Sequence, residues 1–240
     1  MLKRIFSLVF AVMCLFPILP VTGASAATND VSWPYPYDPG TCGDGVGQRL
    51  CMGLYTQNAY YNDLDYLDWR VLDRDGNKAL IISEYCINAM PYNNTCQNVT
   101  WETCSLRKWL NNEFYNTVFD AEEKAAILTT TVDADGNPCY GTGGGRATKD
   151  KVFLLSDLEV AIYFMSAYDR TAGATPYAEA REAHNCGSKG CSWWIRTPGI
   201  RSDMAMIVDA GGCVNYDGDF VSITNGGVRP AMWVDVTKLP

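Results

Sequence analysis

Residues 69–83 read Trp69-Arg70-Val71-Leu72-Asp73-Arg74-Asp75-Gly76-Asn77-Lys78-Ala79-Leu80-Ile81-Ile82-Ser83, two apolar runs on either side of an Asp-Gly-Asn centre. Branched and aromatic residues suit a pleated, half-buried surface, and glycine supplies the left-handed backbone that a tight turn needs. The pattern predicts a β-hairpin with strands over 69–72 and 79–83 and a turn over 73–77. An EF-hand does not fit the same acids, because its glycine would follow the third ligand and its acidic twelfth position is missing. A two-stranded hairpin is marginal alone, so further strands have to join it.

Those strands lie toward the C-terminus. Short β-rich runs over 192–197, 204–208, 214–216, 220–224 and 228–236 alternate with glycine turns, one of them Asp217-Gly218-Asp219. They are expected to share one antiparallel sheet with the hairpin. The middle of the chain is helical in texture. Leu106, Trp109, Leu110, Phe114 and Val118 recur at helical spacing over about 105–115. Asp120-x-x-Glu123 and Ser156-x-x-Glu159 read as capping boxes opening helices to about Leu128 and Ala167, and Pro176 opens another to about His184. Thr129 to Val132 should be a strand closed by Asp135-Gly136-Asn137-Pro138, and Lys151 to Leu155 a buried strand. The expected architecture is a single α+β domain over 67–240, with an antiparallel sheet and flanking helices.

Toward the N-terminus regularity fades. Residues 27–66 are rich in Tyr, Pro, Gly and Cys and predict an irregular segment. Before them, Lys3 and Arg4 precede an apolar run from Ile5 to about Val21 that ends in Ala24-Ser25-Ala26. This is the pattern of a secretory signal over 1–26, and it implies an exported, extracellular protein. Cys14 does not make a lipoprotein, because Met13 precedes it where a small residue is required. No later run approaches the roughly 20 apolar residues of a membrane span.

The chain of 240 residues is 48% hydrophobic and 19% charged, enough for a large core and too apolar for disorder. Its 19 Lys and Arg against 27 Asp and Glu give a formal charge of −8, which argues against nucleic acid or an anionic membrane as partner. A single histidine, His184, excludes metal sites built on two imidazoles and lies on a polar face. Nine of the ten cysteines follow the signal segment. In an exported chain the default is disulfides, and Cys42 with Cys51 and Cys186 with Cys191 bracket loops short enough to close. The remaining pairings are open. No Cys-x-x-Cys occurs, so no metal or cofactor is expected, and the loop at Gly143-Gly144-Gly145 lacks the Gly-Lys-Ser/Thr ending of a phosphate loop.

Four blocks stand together: Trp101-Glu102-Thr103-Cys104-Ser105-Leu106-Arg107-Lys108-Trp109-Leu110-Asn111, Asp150-Lys151-Val152-Phe153-Leu154-Leu155-Ser156, Trp193-Trp194-Ile195-Arg196-Thr197-Pro198-Gly199 and Val228-Arg229-Pro230-Ala231-Met232-Trp233. In this order they resemble an exported bacterial family catalogued as domain of unknown function 6273, over about residues 69–236. That family has no established activity. More distantly the pattern is similar to the fold of C-type lectin domains and the formylglycine-generating enzyme, in which a Trp-rich strand and a terminal Gly-hydrophobic-Arg strand close the sheet. Gly227-Val228-Arg229 would be that last element. Such likeness implies a fold, while function has to come from a site.

On a strand Trp194 and Arg196 share one face. With Asp209 and Arg229 nearby they would supply the aromatic platform and polar fork that a sugar or peptide ligand requires. The alternative is that a Trp packs the core, Arg196 pairs a buried acid such as Asp209, and Arg229 is structural. The Glu-Pro-Asn, Gln-Pro-Asp and Trp-Asn-Asp motifs of calcium-dependent lectins are absent. The expected function is a non-catalytic binding module for an extracellular glycan or protein. The alternative is an enzyme. Cys186 and Cys191, separated by four residues, resemble the copper-binding cysteines of the formylglycine-generating enzyme, a copper-dependent cysteine oxidase; a hydrolase could draw on paired carboxylates, but nothing singles out a pair.

Overall fold

Gly76 takes φ +57° at the hairpin tip, and the runs around it pair antiparallel as β2 (Leu64–Asp75) and β3 (Lys78–Ser83). The computed structural model describes residues 45–59, 64–184 and 190–239. All lie in one compact unit, residues 38–240, a single α+β domain with antiparallel sheets. The predicted signal segment 1–26, Cys42 and Cys186 fall outside the described residues.

The predicted hairpin is the middle of a four-stranded antiparallel sheet in the order β1-β2-β3-β11, with β1 at Arg49–Thr56 and β11 at Ala231–Asp235. β1 and the start of β2 fall in the stretch read as irregular. Their alternation is broken by Gly53, which sits at φ +78° in a bulge between Met52 and Leu54, so the period-2 signal is lost there. Met52, Leu67, Trp69 and Val71 still reach the core, and the Trp69 indole donates to the Met52 carbonyl at 2.9 Å.

A second sheet has the order β4-β10-β7-β8-β9, with β4 at Asn88–Ala89, β7 at Trp193–Pro198, β8 at Met204–Val208, β9 at Val214–Phe220 and β10 at Gly227–Val228. The expectation of one sheet is therefore corrected: the C-terminal strands divide between two sheets, and β10 runs parallel to β7. Arg229-Pro230 is the point of division. Proline has no N–H for a ladder, while its carbonyl takes the Ser83 amide at 2.9 Å, so the chain leaves β10 and enters β11 in the other sheet. A small pair, β5 (Thr130–Val132) and β6 (Thr148–Asp150), completes the strands.

Both capping boxes form. Asp120 and Glu123 cap α3 (Ala121–Ala126), and Ser156 and Glu159 cap α4 (Asp157–Tyr163). The first helical run is α1 (Ser105–Trp109), a π-turn at Leu110–Phe114 and α2 (Tyr115–Val118), followed later by α5 (Ala167–Arg170) and α6 (Pro176–Ala180). α4 and α6 end earlier than their patterns suggest, at Tyr163 and Ala180 in place of about Ala167 and His184. Residues 152–155 are buried, with Lys151 half-buried, but the run pairs as a strand only at Phe153, which exchanges hydrogen bonds with Ala231. Side chains take several of the other backbone groups there, with the Asn111 Oδ1 accepting from the Lys151 and Val152 amides, while the Leu155 carbonyl accepts the Arg196 amide.

Candidate functional site

The four residues predicted to form a ligand face do not form one. β7 has strands on both edges and is buried on both faces, so Trp193 and Trp194 are each 0% exposed. The Trp194 indole donates to the Met90 carbonyl at 2.9 Å and packs edge-on against Tyr92. Arg196 is buried and ion-paired with Glu159, not Asp209, and donates to the carbonyls of Asp133 and Leu154 at 2.8 Å each. Asp209 turns inward on its own loop, its Oδ1 accepting the amides of Gly211 and Cys213. Arg229 is fully buried between the rings of Trp193 and Phe164 and donates from Nε to the Ser83 carbonyl at 2.9 Å. Burial pulls its guanidinium down to about 10, a structural arginine joining the two sheets. Of the guessed disulfides, Cys42 and Cys186 lie outside the described residues. Cys51 donates to Asp68 at 3.3 Å, and the Cys191 sulfur is turned toward Cys86.

What the structure does bring together lies at the end of β7 and along β9. The sequence Asp217-Gly218-Asp219, expected as a turn, is a bulge inside β9: Ala205 opposes Asp219 and Ile207 opposes Asn215, with Gly218 at φ +73°. A side chain at Gly218 would strike the Ala205 carbonyl at 2.3 Å, and one at Gly199 the Asp217 carbonyl at 2.4 Å, so both glycines let the loops close on each other. The loop after Asn137 is locked onto this bulge. Asn137, 2% exposed, donates to the carbonyls of Pro198 at 3.0 Å and Tyr216 at 2.8 Å, and accepts the amides of Cys139 and Tyr140. Every donor and acceptor position of its amide is engaged.

Around this bulge Tyr140, Ile200, Tyr216 and Phe220 are each 38–47% exposed. The Tyr140 hydroxyl hydrogen-bonds the Asp217 carboxylate, which pushes the phenol up from its ordinary value. The Arg201 guanidinium lies 5.3 Å over the Phe220 ring and is gripped bidentately by Asp203 at 2.8 Å. Tyr140 stands beside a carboxylate and Phe220 beside a guanidinium, next to loops that the Asn137 hydrogen bonds tie together. The signals available in the sequence were the two turn motifs next to Tyr140 and Tyr216, read there only as punctuation.

A second concavity of about 220 Å³ opens at the hairpin end of the other sheet, lined by Asp75, Lys78, Leu128, Thr129, Thr130 and Trp233. It is smaller than the usual small-molecule pocket of roughly 300–1,000 Å³. Among the described residues no cluster of His, Cys, Asp and Glu has the grouping of a metal site, and no helix is long and apolar enough to cross a membrane.

No curated protein and no solved structure matches this chain. The family model described as Domain of unknown function (DUF6273) matches residues 76–236, from the hairpin tip past the end of β11 and so without β1 and β2, and the chain belongs to that family.

Proposed function

We propose that this is an exported, non-catalytic binding protein whose ligand is an extracellular glycan, held at the Tyr140, Ile200, Tyr216 and Phe220 surface. The carrying observation is the pair of exposed rings in contact with charged side chains, Tyr140 with Asp217 and Phe220 with Arg201. Sugars offer apolar C–H faces that stack on such rings and hydroxyls that pair with a carboxylate or guanidinium. The charge narrows the choice. Removing segment 1–26 takes away Lys3 and Arg4 and no acid, leaving 17 cations against 27 acids and a formal charge of −10, so neutral or amino-bearing glycans are favoured over polyanionic ones.

The test is a glycan array probed with the purified mature chain and with Tyr140→Ala, Arg201→Ala and Phe220→Ala variants. The expected result is binding to neutral or amino sugars that falls at least about tenfold in each variant while the far-UV spectrum stays unchanged. Binding that survives all three substitutions, or no binding to any arrayed glycan, overturns the reading.

A further inference from the structure

Two buried thiols with no part in that surface meet over a glycine. Cys86 leads into β4 and Cys191 into β7, and β10 lies between these strands. One short segment holds both: the Cys191 amide donates to the Ala172 carbonyl at 2.7 Å and the Cys86 amide to the next carbonyl, that of Gly173, at 2.8 Å. Gly227 lies against them. A Cβ placed there would stand 2.9 Å from the Cys86 sulfur and 2.9 Å from the Cys191 sulfur, so the two sulfurs lie within twice that distance of each other. Both residues are 0% exposed, and the Cys191 thiol donates to the Ser192 carbonyl at 3.3 Å. Any side chain at position 227 would occupy the space the sulfurs share.

We infer that Cys86 and Cys191 form a disulfide, tying the edge of the second sheet to its centre across β10. Formation requires the two sulfurs to turn toward each other until they reach the S–S distance of about 2.05 Å. The oxidant is a disulfide donor, RSSR. One cysteine thiolate attacks RSSR, forming a mixed disulfide and releasing RS⁻; the second thiolate attacks the cysteine sulfur of that bond and releases the second RS⁻. The two thiol protons end on the two leaving thiolates, and the cysteine pair gives up two electrons to the donor. Because both sulfurs are buried, exchange takes place during folding, while the segments around them are still open to the donor. The pairing displaces Cys186 as the partner of Cys191, both in the disulfide guessed from spacing and in the copper-site alternative.

The experiment refolds the chain in a buffer of reduced and oxidised glutathione, alkylates remaining thiols and digests without reduction, using trypsin with chymotrypsin. Cleavage after Tyr92, Trp101 and Lys189 puts Cys86, Cys96, Cys104, Cys186 and Cys191 in separate peptides. A cross-linked pair containing Cys86 and Cys191 is expected. In the oxidised protein Cys86→Ala and Cys191→Ala should each lower Tm by about 10 °C, for a closed loop of about 100 residues, and the double variant should lower it no further. Recovery of Cys191 linked to Cys186 or to any other cysteine overturns the inference. So does recovery of Cys86 and Cys191 as alkylated thiols, including the case in which the refolded protein takes up Cu(I). The peptide map of the unsubstituted chain decides even if the variants do not fold.

Discussion

Arg196 and Glu159 form an ion pair across the junction of β7 and α4, the guanidinium 4% exposed and the carboxylate 27%. The same Glu159 oxygen also accepts the Ser156 amide at 2.8 Å, closing the α4 capping box. One carboxylate thus starts a helix and neutralises a buried cation in the middle sheet strand, so the residue once placed on a ligand face is a strut between layers.

Removing Arg196 leaves an unpaired acid and two carbonyls without their side-chain donor. Arg196→Met should destabilise the protein by about 3 kcal/mol in urea unfolding. Arg196→Lys should recover only part of this, since one ammonium cannot span the acceptors a planar fork reaches. A loss under about 1 kcal/mol for Arg196→Met would refute the assignment.

Gly53 and Gly76 both have positive φ, at +78° and +57°, yet differ in surroundings. A Cβ at Gly53 would lie 2.7 Å from both Val118 and Phe119, whereas the space at Gly76 is open. Gly76→Ala should cost about 1 kcal/mol, the backbone penalty alone, and Gly53→Ala at least about twice that. Equal unfolding midpoints for the two variants would contradict this.

Glu84 governs part of the acid response. Burial pushes its carboxyl up, but the Arg70 hydrogen bond and the charges of Arg70, Arg49 and Arg229 outweigh burial and hold it below the ordinary 4.5. Its stabilisation is complete above the unfolded value and is lost as pH falls through the lower folded one. Stability measured between pH 6 and pH 3 should drop below about pH 4.5, and Glu84→Gln should flatten that drop. An unchanged profile in the variant would show that other carboxylates carry it.

Cys104 caps α1, its sulfur accepting the Arg107 amide at 3.4 Å, and burial pushes its thiol up to about 12. In the fully reduced native protein at pH 8, iodoacetamide should label the exposed Cys96, Cys139 and Cys213 within minutes and leave Cys104 unlabelled until the chain unfolds. Peptide mapping after timed quenching measures the order; early labelling of Cys104 would count against its placement in the core.

The local grammar of this chain was legible because its causes are local. Asp120 with Glu123 and Ser156 with Glu159 satisfy amides within one helical turn, and Gly76 turns the hairpin through its own φ, so three-residue spacings and one dipeptide suffice to read them. The family was legible through four ordered blocks. The candidate site was not, because exposure of a strand face depends on what packs over it. Trp194 and Arg196 alternate as a half-exposed strand would, and only the neighbours β10 and β8 with the covering segments at 90–92 and 153–159 make both faces interior. Conversely Tyr140 and Asp217 lie far apart in the chain, and Asn137 brings them together by bonding two carbonyls of distant strands. The cysteines show the same division: spacing pointed to Cys186 for Cys191, while the carbonyls of Ala172 and Gly173 set Cys86 beside it. Sequence by itself determined the elements whose hydrogen bonds close within a few residues, and tertiary structure decided which side chains face water and which sulfurs meet, since burial and proximity belong to the packed whole.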